Sequence, residues 1–178
     1  MKFPRPNGLG YYAGSHWLQG AVVLIIVAII AIRLLLALDD ALELAERQSV
    51  ESTIRNMKTG LRMAVFKAVI EHRGQEVASW EGRNPLVWLQ TVPSGYVGDC
   101  DPRKPAALPS ASWCFARSSR ELIYRPRKPQ HLVANVAENG PACPALTWRV
   151  TKAPEEQQTG ATVLLNLKEI SDCQWVIE

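Results

Sequence analysis

The chain is 178 residues long, carries four cysteines and has a formal net charge of +3 at pH 7. That length leaves room for one small folded domain beside a membrane segment and excludes two. The charge is slight and unevenly placed. Seven bases face three acids between Asp99 and His131, and three bases face six acids from Leu132 onward. Head-to-tail contact with copies or partners and a plain solvated surface both stay open on that pattern. No internal repeat or low-complexity tract is present.

Residues 1–16 hold two prolines and three glycines and predict a short irregular cytoplasmic tail. Trp17 to Leu38 then reads WLQGAVVLIIVAIIAIRLLLAL. Twenty-two helical residues reach roughly 33 Å, enough for a hydrocarbon core about 30 Å thick. A cleaved signal peptide needs a small-x-small site after its apolar core, and here Arg33 interrupts the run while Asp39-Asp40 closes it. A chain this short has little protein in which to bury such a helix on every side. The segment therefore predicts a transmembrane helix. Trp17 and Gln19 suit one interface, and Arg33 reads as a snorkelling side chain near the other or as a contact inside an assembly.

Lys2, Arg5 and the amino terminus precede the span without an acid; Asp39, Asp40, Glu43 and Glu46 follow it before the first base, Arg47. That bias predicts a cytoplasmic N-terminus and an exported segment 39–178. All four cysteines, Cys100, Cys114, Cys143 and Cys173, lie on the exported side. With no C-x-x-C and no histidine beside any of them, they read as two disulfides rather than a zinc site. Three pairings are possible, and the sequential one is preferred because both loops stay short. In the chain-entropy model such loops are each worth roughly 3–4 kcal/mol. These features fit a single-pass bacterial inner-membrane protein facing the periplasm.

Residues 39–73 contain no proline and one glycine, Gly60. Val50, Ile54, Met57, Leu61, Ala64, Val65 and Ala68 recur at three- and four-residue spacing, which predicts an amphipathic helix continuing from the span. Glu43/Arg47 and Glu51/Arg55 are placed to pair one turn apart, and Gly74 reads as the helix stop. Met63, Phe66 and Ile70 form a second apolar row well round from the first. Two apolar faces imply burial on the domain's own sheet and beneath something else, either the following loop or another subunit.

Residues 75–109 read as an irregular connector. Within it Asn84 caps a short helix with Pro85 at its first position, through Leu89, and Pro93–Tyr96 is a turn. From residue 112 the period becomes two. Trp113–Ala116 and Glu121–Arg125 predict a hairpin around Arg117–Arg120; His131–Val136, Leu146–Thr151, Thr162–Leu167 and Gln174–Ile177 predict further strands, with Glu155–Gly160 as a polar loop. The expected fold class is α+β, a long N-terminal helix on a small antiparallel sheet with two disulfides.

The order of parts resembles the pilin and pseudopilin architecture: short tail, transmembrane helix running into an amphipathic helix, irregular connector, small sheet, late disulfide. The run Asn84-Pro85, Trp88-Leu89, Pro93, Tyr96 and Gly98, followed by Trp113-x-Phe115 and Leu122-x-Tyr124, resembles minor-pilin-like components of type IV pilus and type II secretion machinery. The likeness points especially to MSHA-pilus biogenesis proteins of the MshF kind. The motif covers about forty residues, and the architectural likeness covers the whole chain. Pilins carry a Gly-Phe-Thr-x-x-Glu-type processing site; this chain reads Gly8-Leu9-Gly10-Tyr11-Tyr12, with no acid before Asp39. The resemblance thus implies an uncleaved accessory protein whose partners are membrane lipid and other pilins or assembly proteins.

No catalytic, cofactor or metal site is expected. His16, His72 and His131 have no spaced partner; Asp39-Asp40 and Glu155-Glu156 are adjacent pairs that do not form a carboxylate dyad. No nucleophile elbow or phosphate loop is found. The six tryptophans read as core or interface. Arg117–Lys128 with Tyr124 is too slender a basic hairpin to predict nucleic-acid binding. Two functions follow: a structural part in pilus or pseudopilus assembly, or a membrane-anchored periplasmic binding or sensor module.

Overall fold

A computed structural model describes residues 13–134, 143–153 and 164–176. Residues 1–12 of the predicted tail 1–16, the polar loop 155–160 and the outer parts of three predicted strands (135–136, 162–163 and Ile177) fall outside the described residues; residues 13–16, expected to be irregular, are already helical. The chain divides into two compact units, Met1–Leu42 and Glu43–Glu178. Helix α1, Ala13–Ile70, contributes to both.

In the first unit every large apolar side chain from Trp17 to Leu38 is more than half exposed. The most apolar window has a mean hydropathy of 3.2, with none of it buried. A helix apolar on all faces needs an apolar surrounding, and this one has the length and composition of a membrane span.

In the second unit α1 buries Val50, Ile54, Met57, Leu61, Val65 and Ala68. They pack into one core with Trp113, Leu122, Tyr124, Trp148, Val150 and Leu167. Ala64, at the margin of that stripe, is half-buried. The helix ends before Gly74. His72 adopts φ 55°, its N–H donates to the Val69 carbonyl at 3.1 Å, and Arg73 N–H donates to the Ala68 carbonyl at 2.7 Å. That is a Schellman ending with histidine in the left-handed position. Gly74 instead opens a short helix, α2, Gly74–Val77.

The strands are β1 Tyr96–Asp99, β2 Ser112–Ala116, β3 Glu121–Arg125, β4 Leu132–Ala134, β5 Leu146–Lys152, β6 Leu165–Glu169 and β7 Cys173–Trp175. Five form one sheet in the order β1-β2-β3-β5-β6, while β4 and β7 pair separately. The expected wholly antiparallel sheet is corrected: β1, drawn from the segment read as connector, runs parallel to β2. A parallel return needs a crossover of about a dozen residues, and the stretch between Asp99 and Ser112 supplies it. Cys100–Cys114 closes that same loop, and Cys143–Cys173 ties β7 to the chain before β5. Leu108 from the loop packs with Cys114, Ala116, Ile123 and Ala145 on the face of the sheet away from the main core. Every residue of β2 is consequently buried.

Gly60 marks the closest approach of α1 to the turn Pro85–Trp88. A Cβ there would stand 2.4 Å from the Trp88 carbonyl oxygen. Helix propensity alone favours Gly60→Ala by about 1 kcal/mol. Because a backbone oxygen has to move, the substitution is expected to lower stability by about 1–3 kcal/mol instead, measured by thermal unfolding of the full chain.

Candidate functional site

The residues singled out by the resemblance come together in the second unit. Asn84 accepts the Leu86 N–H at 3.1 Å, with Pro85 buried in the first turn position, and its amide donates to the Tyr96 hydroxyl at 3.2 Å. The turn is a 3₁₀ helix ending at Trp88, whose ring lies 5.9 Å from Trp80. Tyr96, Trp113 and Tyr124 are paired across β1, β2 and β3, as are Phe115 and Leu122 across β2 and β3. The rings of Trp113 and Tyr124 are 4.5 Å apart, and Trp88 and Leu89 pack at the edge of the same core. These nine residues belong to the scaffold that carries α1.

Two carboxylates, Glu43 and Glu46, read from the sequence as topological charges and, for Glu43, as a partner of Arg47, instead hold α1 to the fold. Glu43 is 4% exposed, though it is an acid on a helix just past the apolar run. Its Oε1 accepts the Trp175 indole N–H at 3.1 Å and meets His131 Nδ1 at 2.5 Å, while Oε2 meets Lys128 Nζ at 3.1 Å. Burial pushes its pKa up, but the hydrogen bonds of Trp175, Lys128 and His131 and the charge of His131 prevail, and the net shift is downward. Glu46 accepts the Tyr124 hydroxyl at 2.7 Å and the Arg127 N–H at 2.8 Å. Burial first, and then this carboxylate, raise the Tyr124 phenol above its ordinary pKa. Arg47 donates to the Trp175 carbonyl at 3.3 Å and pairs with Glu51 at 3.1 Å, not with Glu43 as its spacing predicted. The available signal was register: Glu43 and Glu46 lie seven and four residues before Val50, on the stripe that the sheet covers.

Four of the five bases of the 117–128 stretch have partners within the second unit. Arg117 pairs with Asp99 at 2.7 Å, Arg125 donates to the Leu108 carbonyl, and Arg127 and Lys128 take Glu46 and Glu43. Among the described residues no group of histidine, cysteine and carboxylate side chains comes together to hold a metal.

The row Met63, Phe66 and Ile70 points away from the core, with exposures of 65%, 64% and 61%. It borders a groove of about 580 Å³ lined by Arg62, Met63, Phe66, Val69, Leu164 and Leu165. Met63 and Gly60 also border a second groove of about 510 Å³, with Trp88 and Leu89 opposite. A separate cleft of about 300 Å³ runs beside Arg47, Arg55 and Lys58, with Trp148, Glu169 and Trp175 on the sheet side. Burial raises the Glu169 pKa there, against the lowering effects of Ser171 and Lys58.

No family model, curated protein or solved structure matches this chain. The candidate site is thus defined by its own geometry: an apolar ridge with a groove on each side, on a helix whose other face is already covered.

The Glu43 cluster generates a stability test. Glu43→Gln keeps the shape but gives up the charge facing Lys128 and His131, and is expected to cost about 1–3 kcal/mol at pH 7. A folded-state pKa below the ordinary 4.5 contributes stability above that value, which is lost as pH falls through the folded pKa. The gap between wild type and variant should therefore close below the ordinary carboxylate range. Unfolding of the full chain in detergent, followed by circular dichroism from pH 7 to pH 3, checks this; a constant gap would refute the electrostatic account.

Proposed function

We propose that this chain is a non-catalytic, single-pass inner-membrane protein that takes part in assembling a type IV pilus, of the MSHA kind, or a type II secretion pseudopilus, as a minor or accessory pilin-like component. The observation that carries this reading is the outward row Met63, Phe66 and Ile70, exposed on a helix already packed through its opposite face. The apolar part of α1 would be the membrane anchor, with the N-terminus cytoplasmic. The second unit would lie in the periplasm, where its two disulfides are stable. A long helix on a small sheet, with a disulfide near the end of the chain, supports the pilin-like comparison. The absence of an acid before Asp39 supports an accessory component rather than a main filament subunit.

A second reading, a membrane-anchored binding or sensor module, draws on the cleft beside Arg47, Arg55 and Lys58. Its volume, about 300 Å³, is at the lower end for small-molecule sites. The two readings separate by co-purification from bacterial membranes. Pilus-assembly proteins recovered with the full chain favour the first, and a soluble periplasmic ligand favours the second. On the first reading Phe66→Glu should reduce recovered partner by about tenfold with unfolding temperature unchanged. Undiminished recovery would remove the outward row from the interface.

A further inference from the structure

Between Ser52 and Ile70 helix α1 carries Arg55, Lys58, Arg62 and Lys67 and no acid. On a helical projection Phe66, Ile70 and Met63 occupy the centre of the exposed face, with Arg55 and Arg62 along one flank and Lys67 on the other. Lys58 turns toward Glu169 in the cleft on the sheet side, and the other three are weakly engaged. Arg55 reaches Glu51 at 3.6 Å, a carboxylate already paired with Arg47. Lys67 meets Glu71 at 3.9 Å with its side chain 74% exposed, a pairing worth little in water. Arg62, on the rim of the larger groove, makes no ion pair among the described residues. The face is an apolar ridge edged with positive charge.

Resting on the assembly reading above, we propose that this face receives an amphipathic helix of a different protein, whose apolar stripe is flanked by carboxylates. A helix fits because Met63 stands between two grooves, so that side chains at three- and four-residue spacing can seat on both sides of it. Carboxylate flanks fit because three cations, Arg55, Arg62 and Lys67, border the face, and α1 carries no acid between Glu51 and Glu71. A second copy presenting this same face offers the same cations and is opposed by like charge. A fluid lipid surface also accepts basic, apolar helices, but it makes no use of a ridge set between grooves.

The test uses the full chain in phosphatidylcholine nanodiscs and two labelled synthetic amphipathic helices. They are identical in their leucine stripe, one flanked by glutamate and the other by lysine. Fluorescence anisotropy, corrected with empty nanodiscs, should show the glutamate peptide binding about tenfold more tightly, with the preference shrinking in high salt. Arg62→Glu combined with Lys67→Glu should reverse the preference, and Phe66→Ser should weaken both peptides. All three side chains are exposed, and circular dichroism verifies that the variants remain folded. Equal binding of the two peptides, binding of neither, or an unchanged preference in the double variant would overturn the proposal. Displacement of the peptide by phosphatidylglycerol vesicles at matching affinity would overturn it in favour of a lipid surface. If the peptides fail to discriminate while Phe66→Glu still abolishes recovery of assembly proteins, the assembly reading stands and only the acidic partner is lost.

Discussion

A helix packed on one sheet can bury only the side chains that face it, and this limit shapes the second unit of the protein. Met57 and Leu61, both essentially inaccessible, sit where α1 meets the sheet, and the stripe from Val50 to Ala68 follows the helical period around them. Rotation of the helix about its own axis is resisted by polar contacts as well as by packing. Glu43 and Glu46 are held by Trp175, Lys128, His131, Tyr124 and Arg127 at the start of its stretch in the second unit, and Gly60 is pressed to the Trp88 carbonyl farther along. With those points fixed, Met63, Phe66 and Ile70 have nowhere to go but outward.

The sheet meets a different demand. It is small, and β2 and β3 are buried on both faces, so a second layer is needed opposite the helix. The crossover between β1 and β2 provides it, through Leu108 and the Cys100–Cys114 bridge. A proline-rich loop contributes little regular hydrogen bonding of its own, and closing it by a disulfide removes unfolded-state entropy worth roughly 3 kcal/mol in the chain-entropy model. The same bridge joins neighbouring parallel strands, where Cys100 N–H also donates to the Phe115 carbonyl at 3.1 Å. Covalent closure and strand pairing therefore specify one register together.

Local periodicity made much of this legible: the helix, its buried stripe, the 112–125 hairpin, β5 and the outward row were readable because each depends on residues a few positions apart. What depended on distant partners was not. Tyr96–Asp99 is four residues long and lies among turns, so nothing local announces that it pairs in parallel with β2. The division of the strands into two sheets depends on β4 finding β7. Glu43 meets Trp175 across 132 positions, and in a single sequence an acid just after an apolar run reads first as a topological charge. Gly74 was the natural helix stop, yet His72 took the left-handed position two residues earlier, a conformation histidine tolerates better than most residues.

The outward row is costly wherever water covers it. A large apolar side chain left exposed forfeits about 1.5–3 kcal/mol relative to full burial, and Phe and Ile are also poorer helix formers than Lys, Arg, Glu or Gln. Neither hydration nor helix propensity accounts for Met63, Phe66 and Ile70 together at three- and four-residue spacing. The surrounding positions obey the opposite rule, since Arg55, Arg62 and Lys67 are the residues that an exposed helix favours. Burial beneath the proposed partner would reconcile the two. It would return the apolar free energy at the centre of the face and leave the long basic side chains at the rim, where their charge would select among partners and their hydration would largely be kept.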